Sequence, residues 1–447
     1  MDLLNRFKTT FIAALILVVL GAYILITERR TGGSGENKRL VLPSLAVRQI
    51  DSISLKFPEG AAELKKTDGG WVVLKGDKEK RRYPADSYSV KSMLDTLSGI
   101  EIENIAAVKA EDLEPFGLSA PRAEINFGGG GKEHTLRIGD DTPTGSGTYV
   151  MRVGSGDVFI VDSNSLYPLL FRTPDDLRDK NILSIDEAAV TAIKFTRKGS
   201  SFEIVNTEGV WSLKEPRPYV ELDQPAVRGL LGTFARLNIS RFVEDEPKRL
   251  HDYGLRSPGA TVEIAHKGKK TAIVFGGEKE GQRYVKISGR KPVYSVLEYI
   301  YELIPKGVND IRSKRLIKED LDSLTQVSVE GPGTVAFKYE KKGLVWKKGG
   351  NTKTVEGVPD IESVFSSLHA LRIKQFVDDE PVDLSAYGLE EPVAKLTMVF
   401  PNAVLTVLFG NAKDGMVYVM LPGASPVYAV LVKDAGDFIG TEIGGGK

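Results

Sequence analysis

The 447-residue chain contains no cysteine, so disulfides, thiolate nucleophiles, iron–sulfur clusters and cysteine-ligated zinc are all excluded. It has four histidines, His134, His251, His266 and His369, at unrelated positions with no metal-ligand spacing. It has no net charge either, with 60 basic and 60 acidic residues, so its composition offers no basic face for nucleic acid. Tryptophan is scarce, at three residues, and that scarcity is informative because all three mark the same place in a repeat. Long apolar runs are missing after the first 27 residues. What the chain does have is a 41% apolar composition, enough for real cores, and one short phrase used three times.

The phrase is Leu113-Glu114-Pro115-Phe116-Gly117-Leu118-Ser119-Ala120-Pro121, then Leu250-His251-Asp252-Tyr253-Gly254-Leu255-Arg256-Ser257-Pro258, then Leu384-Ser385-Ala386-Tyr387-Gly388-Leu389-Glu390-Glu391-Pro392. Leu, an aromatic, Gly, Leu and Pro keep their offsets. A Gly just past a short helical turn, with Leu four before it and Leu after it, reads as a Schellman cap, in which the Gly is left-handed and the two Leu touch. The Pro then biases the chain toward an extended segment. Ahead of each Gly stands a Trp, at Trp71, Trp211 and Trp346, with gaps of 46, 43 and 42 residues. Behind each Pro, 18 residues on, comes a strand-ending Gly: Gly139, Gly276 and Gly410. Tyr149, Tyr284 and Tyr418 follow, each with a further aromatic ten residues later, Phe159, Tyr294 and Tyr428. The period is domain-sized, so each copy can hold its own core.

Residues 9–27 form an uncharged run long enough to span a bilayer, preceded by a short basic segment, residues 1–8. The expected topology is a single-pass bacterial inner-membrane protein with most of the chain extracytoplasmic, although Arg29 and Arg30 make the flanks nearly symmetric. Residues 28–44, rich in Gly, Ser and Thr, read as a flexible tether. Three modules are expected at 45–185, 186–320 and 321–439, with a Gly-rich tail at 440–447. Each has a small antiparallel meander, then a helix opened by Asp beside Pro, then the phrase, then four short strands. The helices carry Val90, Leu94 and Leu97; Val227, Leu230, Leu231, Phe234 and Leu237; and Ile361, Val364, Phe365, Leu368 and Leu371 on one face. The expected class is therefore α+β: one transmembrane helix followed by three similar, mainly antiparallel α+β modules. Helical stretches ending in Asp176-Leu177-Arg178-Asp179-Lys180 and Asp310-Ile311-Arg312-Ser313-Lys314 close the first two modules only, and read as connectors.

Motifs that carry chemistry are few. Gly128 to Lys132 fails the phosphate-loop pattern, because Glu133 replaces the Ser or Thr after the Lys, and it lies between strands as a hairpin tip. The best candidates for an ion or partner contact are Glu244-Asp245-Glu246 and Asp378-Asp379-Glu380, at one offset in modules two and three, where module one has Ala107-Val108-Lys109. They lack the loop pattern of a calcium site. No nucleophile is paired with a base in any recognisable motif, and no cofactor motif is found.

The combination of Trp71, Pro84-Ala85-Asp86, Phe116-Gly117-Leu118, Pro121, Ile138-Gly139, Tyr149 and Asp176-Leu177-Arg178-Asp179-Lys180 resembles the bacterial family known as domain of unknown function 4340. The resemblance covers about residues 45–435, and the third module departs from it by lacking the last motif. It implies an envelope protein, often encoded beside gliding-motility-type ABC transporters, with no assigned catalytic residues. The expectation is a non-enzymatic, membrane-anchored binding or scaffolding protein with an envelope partner, accessory to an ABC transport system. Two alternatives stay open: a divalent-ion-dependent envelope enzyme acting on glycans through the acidic loops, and a cytoplasmic scaffold if the anchor is inverted.

Overall fold

The computed structural model of the protein describes residues 39–440, apart from 44–46, 59, 77–79, 130, 171–172, 333, 344, 350–356 and 424–425. The chain divides into two compact units, one up to Lys180 and one from Asn181 on, and the second holds two of the three modules.

Module one contains β1 (Ser52–Phe57), β2 (Gly60–Thr67), β3 (Gly70–Lys75) and β4 (Arg81–Pro84), then α1 (Ser87–Gly99) and β5 (Asn104–Ala107). It continues with β6 (Ala123–Gly129), β7 (Lys132–Asp141), β8 (Gly147–Arg152) and β9 (Val158–Asp162). All nine strands form one antiparallel sheet in the order β4-β3-β2-β1-β6-β7-β8-β9-β5. The helix therefore carries the chain from one sheet edge to the other, and two meanders meet at β1 and β6 in the middle.

Module two repeats this with β10 (Val190–Arg197), β11 (Ser200–Thr207), β12 (Val210–Leu213), α2 (Gln224–Ala235) and β13 (Arg241–Glu244). Its second meander is β14 (Ala260–His266), β15 (Lys269–Lys279), β16 (Gln282–Ile287) and β17 (Val293–Leu297), closed by α3 (Glu298–Glu302). Module three has β18 (Gln326–Glu330), β19 (Phe337–Lys342), β20 (Val345–Lys348), α4 (Ile361–Ala370) and β21 (Gln375–Asp378). It ends with β22 (Ala394–Phe400), β23 (Ala403–Lys413), β24 (Met416–Met420), β25 (Val427–Leu431) and α5 (Gly436–Ile439). The orders β12-β11-β10-β14-β15-β16-β17-β13 and β20-β19-β18-β22-β23-β24-β25-β21 match that of module one without its β4.

These strands form because apolar residues alternate. In β22, Ala394, Leu396, Met398 and Phe400 are buried while Lys395 is exposed, so one face of the sheet is dry and the other wet. The dry face packs on the helix, with Val227, Leu231 and Phe234 of α2 joining Ile193, Phe195, Val262 and Phe275 in one cluster. Each helix starts where an Asp side chain accepts a backbone N–H: Asp86 from Ser89 at 2.7 Å, Asp223 from Ala226 at 3.0 Å and Asp360 from Ser363 at 2.7 Å.

The expected fold class needs correction. The modules are predominantly antiparallel sheet, since each sets one main helix of 13, 12 or 10 residues against eight or nine strands. The helical turn of the repeated phrase is only a 3-10 turn of three or four residues. No helix among the described residues is long and apolar enough to cross a membrane. The transmembrane segment expected at 9–27, most of the tether at 28–44 and the tail from 441 lie outside the described residues. A second difference concerns the closing turns. Module three also has one, with Phe438 and Ile439 fully buried, so among the described residues only the connector is confined to modules one and two.

The three cores begin at Val41, Ile182 and Leu316, a few residues ahead of the expected module starts. The cause is a landmark that sequence reading passed over: Arg39-Leu40-Val41-Leu42, Lys180-Asn181-Ile182-Leu183 and Lys314-Arg315-Leu316-Ile317. Leu40, Asn181 and Arg315 bridge to Glu101, Asn238 and Arg372, each just after the main helix, and the two aliphatic residues that follow are buried.

Candidate functional site

The repeated phrase builds a fixed joint in every module. Gly117, Gly254 and Gly388 have φ of 64°, 65° and 67°. Their N–H groups donate to Glu114, His251 and Ser385, and the next Leu donates to the Leu five residues back at 3.0 Å in all three copies. That is the two-bond Schellman pattern. The phrase seats on a bulge in the long strand, where the register shifts between Ile138 and Asp141, between Phe275 and Glu278, and between Phe409 and Ala412. Gly139, Gly276 and Gly410 lie in these bulges, and a methyl added to any of them would meet the carbonyl oxygen of the phrase aromatic at 2.1 Å. The aromatics pack edge-to-face on the next strand: Phe116 on Tyr149 at 5.2 Å, Tyr253 on Tyr284 at 5.1 Å and Tyr387 on Tyr418 at 5.2 Å. Leu118, Leu255 and Leu389 are buried, while Pro121, Pro258 and Pro392 lead into β6, β14 and β22.

Trp71, Trp211 and Trp346 occupy one register position, opposite Lys66, Asn206 and Lys341 beside a hairpin turn. Trp211 is buried and its backbone N–H donates to the Gln224 side chain, whereas Trp71 and Trp346 are half-buried, the latter edge-on to Phe365 at 5.5 Å.

The acidic loops are engaged within the fold. Glu244 accepts a hydrogen bond from the Tyr253 hydroxyl, and Asp378 accepts one from Tyr387 at 3.2 Å. The Glu244 carboxylate stabilises the protonated phenol, pushing Tyr253 up to about 12, with burial adding to the effect. Tyr387 is also raised, by burial first and by Asp378 second. Glu246 lies 3.7 Å from Lys291, Glu380 donates its N–H to Asp378 at 3.0 Å, and Asp245 is half-buried in its loop.

Asp379 has the most specific role. Its carboxylate takes both ends of the Arg312 guanidinium, at 2.9 Å and 3.0 Å. Arg312 is only 2% exposed, lies 3.9 Å from the centre of the Phe376 ring and also donates to Asn309 at 3.1 Å. This arginine belongs to the connector, so the pair fastens module two to module three inside the second unit. The connector itself is a shared ribbon: Ser313 donates to Glu221 of module two at 2.9 Å, and Ile373 of module three donates to Lys314 at 3.0 Å. Arg178, in the connector of module one, is likewise buried, with its guanidinium 3.8 Å from the Tyr83 ring centre and bonded to Asp175 at 2.8 Å. The sequence marks both connectors and the acid Asp379 but not the pairing of Asp379 with Arg312, because a pair 67 residues apart has no local signature.

Two open grooves follow main helices. One of about 540 Å³ lies along α1 and is lined by Tyr88, Lys91, Ser92, Asp95, Thr96 and Ser165. Its counterpart of about 650 Å³ lies along α2, with Gly229, Leu230, Thr233, Leu303 and Ile304 on its walls. At that place in module three, Ser363 and Ser367 donate to Asp437 at 2.7 and 2.8 Å. Among the described residues no group of three or more His, Asp or Glu side chains is placed to hold a metal ion.

No curated protein matches the chain. The family described as Domain of unknown function (DUF4340) matches it over residues 78–221, 211–360 and 354–435. The first two matches run from just ahead of one main helix, through the phrase and the second meander, to just ahead of the next. Set against three sheets of one topology and a phrase docked identically in each, this triple match places the chain in the DUF4340 family, as a protein built of three repeats of that domain.

Proposed function

We propose that this chain is a non-catalytic binding or scaffolding component of the bacterial cell envelope. In this reading it is held at the inner membrane by its apolar N-terminal run, displays its modules outside the cytoplasm and serves an ABC transport system. The observation that carries the reading is the engagement of the acidic side chains. Glu244 and Asp378 hold phrase tyrosines and Asp379 holds a buried connector arginine, so the residues best suited to bind a divalent ion or run acid–base chemistry serve instead to hold the repeats in shape. The resemblance to envelope proteins encoded beside ABC transporters supports the partner class, and the uncharged run at 9–27 supports the location. Three sheets, each with a wet face free of the main helix, offer repeated surfaces on one tether, which add weak contacts into avidity where geometry permits.

The test is in-cell crosslinking of the tagged full chain, followed by isolation from native membranes. The reading expects a membrane transport subunit among the crosslinked proteins. Turnover of an envelope glycan or ester by the purified full chain, abolished by Glu244→Gln together with Asp378→Asn, would overturn it.

A further inference from the structure

In modules one and two, the residue just before the N-cap of the main helix is bridged by the outgoing connector. Ala85 bridges to Arg178 and Leu222 to Arg312. Two main-chain bonds bracket each bridge. The N–H of Asp86 donates to Leu177 at 2.8 Å and the carbonyl of Pro84 accepts from Asp179 at 2.9 Å; Asp223 donates to Ile311 at 2.8 Å and Glu221 accepts from Ser313 at 2.9 Å. In both cases the connector places an aliphatic residue in the core, Leu177 or Ile311, and a buried arginine directly after it.

Module three carries the same edge at Val358, Pro359 and Asp360. Asp360 is the N-cap of α4, as Asp86 and Asp223 are of α1 and α2. Among the described residues, nothing bonds the Asp360 N–H or the Val358 carbonyl, the two groups that correspond to the connector's partners. Asp360 is exposed and Val358 half-buried, with apolar Ile361 and Phe365 beside them also partly exposed. Pro359 suits the bridging position, because neither bracketing bond uses the amide of that residue.

We propose that this edge is a docking seat for an extended segment of a protein partner, in which an aliphatic residue is followed by arginine as in Leu177-Arg178 and Ile311-Arg312. The occupant is inferred from continuity: the two equivalent seats in this chain hold that chemistry, through the same donor and acceptor. Recognition is strand addition of the shortest kind, with main-chain bonds setting register and the aliphatic side chain setting preference. Each hydrogen bond replaces one made to water and so adds little net affinity, and a free peptide binds weakly. The connectors bind firmly because they are tethered. The proposal is independent of the cellular location given above.

The experiment titrates the isotopically labelled full chain with millimolar peptide of the sequence Thr173–Lys180, reading backbone amide shifts. Saturable shifts at Asp360 and Ile361 are expected, lost when the peptide is N-methylated at the position of Asp179. No shift at Asp360, or an equal shift with the N-methylated peptide, overturns the proposal. A second arm repeats the titration on the chain truncated after Gly440. If the peptide reaches Asp360 only there, the chain's own last residues fill the seat and the proposal of a foreign partner fails.

Discussion

Replacing Gly254 with Ala tests whether the repeated phrase is a joint or only a turn. Two costs apply at this position. A side chain at φ 65° costs about 1–2 kcal/mol in the left-handed region. The added methyl would also lie 2.7 Å from the Gly277 nitrogen and 3.2 Å from its Cα, and these are backbone atoms of the bulge that cannot swing aside. Forcing them apart costs about 1–3 kcal/mol, the usual scale for overpacking. Gly281 supplies the control, since it has φ 73° with nothing within 4 Å of an added methyl and so bears the first cost alone. Gly281→Ala should destabilise module two by about 1–2 kcal/mol and Gly254→Ala by about 2–5 kcal/mol. A three-module chain does not unfold in one step, so the assay is native-state hydrogen exchange read on the amides of β14 and β15. If both substitutions cost the same, the phrase is not locked to the bulge and the docking account is wrong.

The Arg312–Asp379 pair should show coupling of about 1–3 kcal/mol in a double-mutant cycle of Arg312→Met and Asp379→Asn, toward the low end because Asp379 is 42% exposed. Additive effects in exchange protection of module three would refute the joint. Tyr253, raised from 10.0 to about 12, stabilises the fold fully below pH 10, and this contribution is lost as pH climbs to about 12, where the folded phenol ionises. A residue-resolved titration should show Tyr253 ionising late and moving back toward its ordinary value in Glu244→Gln; an unmoved Tyr253 would show that Glu244 is not the cause. Asp223→Ala removes the cap at the start of α2 and should cost about 1 kcal/mol, measured by amide exchange in that helix, whereas no change would mean that Pro225 and packing set the helix start alone.

What was legible in the sequence was whatever depends on neighbours along the chain. The Leu-aromatic-Gly-Leu phrase could be read because a Schellman cap is made by six consecutive residues, and Asp86, Asp223 and Asp360 could be read because a cap reaches only three residues on. The balance of helix and strand was misjudged for a related reason. A Leu at each end of the phrase suggests a helix, yet Pro115 and the following left-handed Gly allow only one 3-10 turn in module one. The landmark beginning at Arg39 was hidden because Arg39-Leu40-Val41-Leu42 follows a Gly- and Ser-rich stretch and is too short to show a period. Its role is visible only once Leu40 bridges to Glu101 across the module.

The acidic loops show how far repeat comparison can go beyond motif reading. The residue at the arginine's offset ahead of module one is Asn37, and the corresponding loop of module one carries Ala107-Val108-Lys109 with no acid at all. Ahead of modules two and three the same offset carries Arg178 and Arg312, and the loops there carry Glu244-Asp245-Glu246 and Asp378-Asp379-Glu380. A ligand-binding acid would have no reason to follow the identity of a residue in the preceding connector, whereas a structural counter-ion must. Inside the second unit, Arg312 and Asp379 touch at 2.9 Å around a guanidinium buried against Phe376. Leaving such a charge unpaired is costly, so Asp379 serves Arg312 as its counter-ion. The loop Asp378-Asp379-Glu380 is therefore part of the joint between modules two and three, and a partner should be sought on the wet sheet faces and at the edge of module three around Val358 to Asp360.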